Sequence, residues 1–395
     1  MPAQVLLICG DGDRGYIYQG KRYAQLLDSL NELLSENGIE ALTIADPFSK
    51  VYGDMAFGKV YSVNGLMARA NLKNIVKRKI NSNLVIHDNP LVEAWARIIA
   101  KVKPQLIIGI QPSSELCIAA CSANVWIADL QHGILSDEGY YGLKKRAVFY
   151  DQGWPNSILC WDEASSKWLK AKMGSRVDNR IIGNPWHLRF ISPIQSDNLV
   201  QDAIKLVDYL DRYPVILVTL QWGLKKSSEN HAIGMPMALL NYIKKNNKDI
   251  IWWLRIHPVQ FQGKERKAIL RKLSTEFAGY SNVLWMKPSE FPIPILLKGV
   301  NLHITIHSAT TIEAAWFGIK TALLHPSPYL MHEYFKEQLE SKMAQIVSAS
   351  ETDIKHWVDS ELKGSKNINP VPSFNASLLK EFISDIKSGR YIKNI

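Results

Sequence analysis

Short runs of Val, Ile, Leu and Trp alternate with helical stretches from one end of this chain to the other, a pattern that few folds accommodate. Strands buried on both faces read as unbroken apolar runs, whereas a helix laid over them repeats its apolar residues every three or four positions. Strands are predicted at 5–9, 41–45, 106–110, 124–130 and 158–161, and again at 215–220, 250–256, 282–286, 302–306 and 321–324. A helix is predicted over 20–37, where Tyr23, Leu26, Leu27, Leu30, Leu33 and Leu34 share a face, with Gly38 as its stop. Others fall at 237–246, 264–277, 310–317 and 331–343. The expected class is α/β, two doubly wound Rossmann-like domains facing each other across a cleft.

Between the halves the alternation weakens, through Gly183, Asn184, Pro185 and Trp186 to a polar stretch that ends at Pro214. Domains are therefore expected at 1–190 and 214–372, joined by a linker over 191–213. The tail, 373–395, carries Leu378, Leu379, Phe382, Ile383 and Ile386 at helical spacing and is expected to pack back across the cleft.

With 395 residues, 47% of them hydrophobic, the chain can bury cores for both domains. Its net charge of +10 favours anionic partners such as nucleotides, acidic sugars or phospholipid head groups. No basic segment precedes the first apolar run and no apolar stretch approaches the ~20 residues of a membrane helix, so neither a signal peptide nor a span is predicted. Cys9, Cys117, Cys121 and Cys160 lie in or beside apolar segments without a second Cys or His pair at ligand spacing. A cytoplasmic protein without a metal is the expectation. Nucleic acid is not an expected partner, because the aromatic residues stand apart from the Lys and Arg runs.

Two strand ends carry the chemistry. Arg255, His257 and Pro258 close the apolar run at 250–254, an arrangement that turns a guanidinium and an imidazole toward the crevice, where both can bind a phosphate. Later, Ser308, Thr310, Thr311 and Glu313 open a helix after the run at 302–306: hydroxyls and free amides suit an anion, and Glu313 suits a ribose hydroxyl. Gln221, at the end of the run 215–220, is expected at the floor of the crevice.

Together these segments resemble the nucleotide-binding half of GT-B glycosyltransferases, especially CMP-sugar-dependent bacterial sialyl- and polysialyltransferases and the Kdo transferases of capsule and lipopolysaccharide. Those families have a strand-end His-Pro motif and a later Ser/Thr motif on the phosphate of a CMP-sugar. His257 and Pro258 match the first, and Ser308 with Thr310 or Thr311 the second, within a similarity covering 215–326. The resemblance implies a donor such as CMP-Kdo or a CMP-sialic acid held by 214–372, and a glycan or lipid-linked acceptor held by 1–190. Alternatives are a UDP- or GDP-sugar transferase, a sugar-nucleotide epimerase or hydrolase, and a non-catalytic carbohydrate-binding protein.

The same families place an acidic-acidic-Gly motif in the first domain, its first carboxylate acting as base on the acceptor. Asp137-Glu138-Gly139 matches by residue type, whereas Gln131-His132-Gly133 matches by position after a strand. His132, Asp137 and Glu138 are therefore the candidate catalytic residues, a histidine base being expected to titrate near 6.5. Asp11 and Asp13 in the first loop are an alternative acceptor site, and Glu229 or Glu138 would serve as nucleophile in a retaining reaction. The basic runs at 73–79 and 264–272 read as solvated helix faces, with peripheral contact to a membrane surface as the functional alternative.

Overall fold

The computed structural model describes residues 2–80, 89–135, 153–193, 195–205, 213–223, 231–246, 249–363 and 376–391. The chain divides into two compact units, Met1–Leu188 with Phe374–Ile395, and Arg189–Ser373.

In the first unit seven parallel strands run in the order Val60–Tyr61, Ala41–Ala45, Val5–Cys9, Leu106–Gly109, Trp126–Leu130, Ser157–Cys160, Asp178–Ile181. Val5–Cys9 is buried throughout, and its side chains alternate between two cores. Val5, Leu7 and Cys9 join Leu27, Leu30 and Leu34 on one face, while Leu6 and Ile8 join Trp95, Ile99 and Ile118 on the other. Helix Ala376–Lys387 completes the first of these cores with Leu379, Phe382, Ile383 and Ile386, and Arg180 pairs with Asp385 beneath it. The tail is thus part of the first unit.

The helix expected over 20–37 begins only at Gln25. Residues before it form a hairpin, Tyr16–Tyr18 against Lys21–Tyr23, turning at Gln19 and Gly20 with φ of 50° and 75°. Two left-handed residues in succession are what a two-residue hairpin requires, and Gly20 supplies one without strain. Asp28 then marks the helix start, accepting from the Ala24 N–H at 2.7 Å and from the buried Arg14 guanidinium at 2.9 Å.

The second unit contains six parallel strands in the order Val283–Leu284, Ile251–Arg255, Val215–Thr219, Leu302–Thr305, Lys320–Leu323, Ala344–Ile346. Trp252, Leu254, Ile216, Val218 and Ile304 point into one core with Leu239, Ile243 and Leu273 from the covering helices. His303 is buried in the middle of this sheet, bridging Thr219 and Thr321 at 2.9 and 3.0 Å, so its polar ring ties three strands. The single helix expected at 331–343 is two short ones, Pro328–Tyr334 and Lys336–Glu340. Among the described residues no helix is long and apolar enough to cross a membrane.

Candidate functional site

From the central strand Val215–Thr219 the chain moves to Ile251–Arg255 on one side and later returns to the other side as Leu302–Thr305. Loops at those carboxyl ends diverge, which opens the crevice where open α/β sheets take ligands. Thr219 is register-matched to Arg255 and to Thr305, and Thr305 in turn to Leu323. The residues two positions further on are His257, Gln221, His307 and His325. Four adjacent strands therefore present three imidazoles and an amide from equivalent positions along one edge.

His257 starts the short helix Pro258–Gln262, and its Nδ1 accepts from the Val259 N–H at 3.3 Å. An accepting Nδ1 leaves the proton of the neutral ring on Nε2. Trp222 stacks on the imidazole, with ring centroids 5.7 Å apart and planes inclined by 22°. Burial, reinforced by the Arg255 charge, holds the His257 pKa below the ordinary histidine value, so the ring is neutral at pH 7 and offers an Nε2–H donor.

Arg255 was expected to fork onto a phosphate. Its Nη1 donates to the Pro288 carbonyl at 2.6 Å and to that of Phe291, fastening helix Met286–Glu290 and the residue after it to the strand end. Ser289 reinforces the join, its Oγ accepting from the Ile256 N–H at 3.0 Å. Loss of hydration lowers the Arg255 pKa to about 10, and Glu313 works against that shift. The two strand-end motifs are thus coupled electrostatically.

Ser308 behaves as the sequence implies, its Oγ accepting from the Thr310 N–H at 3.2 Å while its hydroxyl donates to Thr310 Oγ1 at 3.1 Å. Thr310 hydrogen-bonds on to Glu313, whose carboxyl burial pushes up to about 7 in spite of Arg255. Helix Thr310–Trp316 turns Thr311 fully inward, with its side chain buried. Gln221 stays partly exposed, its backbone N–H held by the Gly234 carbonyl at 2.8 Å. Gly234, at φ +82°, is required there, since a Cβ would stand 2.6 Å from the Gln221 carbonyl oxygen.

His307 and His325 escaped the sequence reading. Their rings meet edge to face at 5.1 Å, His325 Nδ1 accepts from the Ser327 N–H at 3.0 Å, and burial with His325 nearby pushes His307 down to about 4. A signal was present: Ile256-His257, Ile306-His307 and Leu324-His325 each set an imidazole just beyond an apolar run.

In the first unit Gln131 is buried and fully engaged. Its amide donates to the Gly133 carbonyl and to Ser165 Oγ, both at 2.9 Å, and its Oε1 accepts from the Trp161 N–H at 2.8 Å. It brackets two neighbouring strand ends. Burial pushes His132 down to about 3, well below the 6.5 expected for a free imidazole. Asp137, Glu138 and Glu229 lie outside the described residues. Of the Asp11 and Asp13 alternative, Asp11 accepts from the Lys50 and Val51 N–H groups at 2.8 and 3.0 Å, and Asp13 from the Gly10 N–H at 3.1 Å. Asp11 ties the first loop to the segment at 50–51, and Asp13 closes its own turn. Among the described residues no group of three or more His, Cys, Asp or Glu side chains is arranged to hold a metal ion.

No family model matches the sequence, and no curated protein matches it. Solved structures do. A UDP-GlcNAc 2-epimerase from Neisseria meningitidis bound to UDP-GlcNAc superposes with a TM-score of 0.61, covering 97% of this chain and 99% of that one at 13% identity. The fold is GT-B. A putative UDP-N-acetylglucosamine 2-epimerase from Listeria monocytogenes gives a TM-score of 0.63 over 100% of this chain and 98% of that one, at 12% identity. The wall teichoic acid polymerase TagF, as an H444N variant with CDPG, gives 0.57 over 98% and 89% at 12% identity. At such identities the likeness establishes the GT-B fold, and chemistry has to be argued from the site.

Proposed function

We propose that this chain is an enzyme acting on a sugar nucleotide, with the nucleotide phosphates received by the second unit. One observation carries the reading: the register-matched edge of His257, Gln221, His307 and His325, with the Ser308 hydroxyl beside it, collects hydrogen-bond donors at the topological switch point of a GT-B sheet. A phosphate that gains charge as its bond to the sugar breaks is stabilised by such preorganised donors. His257 supplies Nε2–H to that oxygen, and Trp222 keeps its plane fixed. Glu313, oriented by Thr310, accepts from a ribose hydroxyl, while Arg255 holds the 286–291 segment and keeps the local potential positive when Glu313 is protonated.

UDP-GlcNAc, UDP and CDPG, the ligands of the structural neighbours, favour a pyrimidine nucleoside diphosphate as the activating group. Epimerisation of a UDP-sugar, or transfer of an activated group to a surface glycan, is the corresponding reaction. Transfer from a CMP-activated acidic sugar is the second reading, favoured by His257-Pro258 and the Ser308 segment.

Proton NMR of the protein incubated with UDP-GlcNAc, with and without an oligosaccharide acceptor, tests the proposal. Appearance of a 2-epimer or of free UDP supports it. Unchanged UDP-GlcNAc together with consumption of CMP-sialic acid or CMP-Kdo moves the assignment to the second reading, and inertness toward all three overturns it.

A further inference from the structure

Helix Asn64–Ile80 packs Met67, Ala70 and Asn74 into the first unit and turns an apolar line toward water. At 100° per residue, Ala68, Leu72 and Val76 stack along its outermost face with Ile75 beside them. Leu72, Ile75 and Val76 are 65%, 47% and 49% exposed. Arg69, Lys73 and Lys77 form a parallel line on one flank, Lys77 lying 4.0 Å from the Glu93 carboxylate, and Lys79 follows Ile75 and Val76 on the outer face. The helix has no acidic residue, so every charge along it is positive. A merely solvated helix face places polar residues where this one places leucine and valine. At the helix start Asn64 Oδ1 accepts from the Phe48 N–H at 2.8 Å, and Phe48, itself 55% exposed, adds a large apolar side chain there.

We propose that this face docks on an anionic lipid surface, with Leu72, Ile75 and Val76 entering the boundary between head groups and acyl chains. Long Lys and Arg side chains flanking an apolar line reach outward to lipid phosphates while their stems stay beside it. The charge complementarity selects an anionic bilayer over a neutral one, and the aliphatic line selects a bilayer over a soluble polyanion, which has no apolar interior to receive it. The net charge of +10 reinforces the attraction at long range. Nothing in this proposal depends on the sugar-nucleotide reading.

Co-sedimentation of the full chain is the test, with vesicles of phosphatidylcholine alone and of phosphatidylcholine and phosphatidylglycerol in equal parts. The protein should sediment with the mixed vesicles and stay in solution with the neutral ones. The pair Arg69→Gln and Lys73→Gln should weaken partitioning by roughly 25-fold, from about fivefold for each cation near the surface. The pair Leu72→Ser and Val76→Ser, which keeps every charge, should abolish it. Circular dichroism and thermal unfolding of both variants show whether the fold is intact, keeping this outcome separate from the function of the second unit. No sedimentation with mixed vesicles overturns the proposal. So does full binding by the serine pair, with equal affinity for single-stranded DNA, which makes the face a polyanion site. A concentration-dependent dimer that the serine pair dissolves, without vesicle binding, gives the face to a second copy instead.

Discussion

Arg255 ends strand Ile251–Arg255 and Glu313 lies in helix Thr310–Trp316, yet the charge of each acts on the other: Glu313 holds the Arg255 pKa up and Arg255 holds the Glu313 pKa down, both against the effect of burial. That mutual effect couples the two short motifs electrostatically. Arg255 contributes position and potential, Glu313 a carboxyl poised between its two protonation states.

A raised carboxyl pKa has a defined consequence for stability. In the unfolded chain Glu313 loses its proton near 4.5, while in the folded protein it holds it to about 7. Between those values the folded state binds more protons, so this group's contribution declines as pH rises through the window. Glu313→Gln removes the decline. Denaturant titrations at pH 5 and pH 8 should show wild type losing more stability between the two than the variant, at about 1.4 kcal/mol per pKa unit before solvent screening. Equal losses would place Glu313 in a more hydrated setting than described.

His257→Ala should lower turnover by ~10²-fold while leaving the melting temperature within a degree or two, because the imidazole faces the ligand and caps only a short helix. Trp222→Ala should cost about fivefold, the value of one ring contact, and Trp222→Phe should restore most of it. Steady-state kinetics of the three variants distinguish these roles. Wild-type turnover in folded His257→Ala removes the residue from the site.

Gln131 and His132, adjacent in sequence, should separate cleanly. Gln131→Ala strands the Trp161 N–H and the Gly133 carbonyl in the interior and should cost roughly 2–4 kcal/mol by thermal unfolding. His132→Ala should unfold like wild type. A pH–rate profile retaining its acidic limb in His132→Ala assigns that limb to another group, in keeping with a ring whose burial holds it at about 3.

The α/β class and the strands at 5–9 and 41–45 could be read directly, since apolar runs buried on both faces leave no alternative period. Short edge strands such as Val60–Tyr61 and Asp178–Ile181 could not, because partner strands rather than their own residues define them. Tyr23 misled the reading: its spacing fits a helix, but it belongs to a hairpin and packs on Tyr16, Phe57 and Trp186. At the site, the residue types of Arg255 and Glu313 were legible and their electrostatic coupling was not, because it depends on how strands distant in sequence lie side by side. His307 and His325 were overlooked for the same reason. Each is ordinary alone and informative only beside His257 on a common edge.

Isothermal titration of the protein with UDP, CDP, CMP and GDP tests the central claim most directly, repeated with His257→Ala and with a His307→Ala, His325→Ala pair. Saturable binding of UDP or CDP, stronger than that of CMP or GDP and weakened in both variant proteins, is the predicted result. Absence of binding by all four nucleotides, or UDP binding unchanged when the three histidines are removed, would contradict a nucleotide site on this edge of the second sheet.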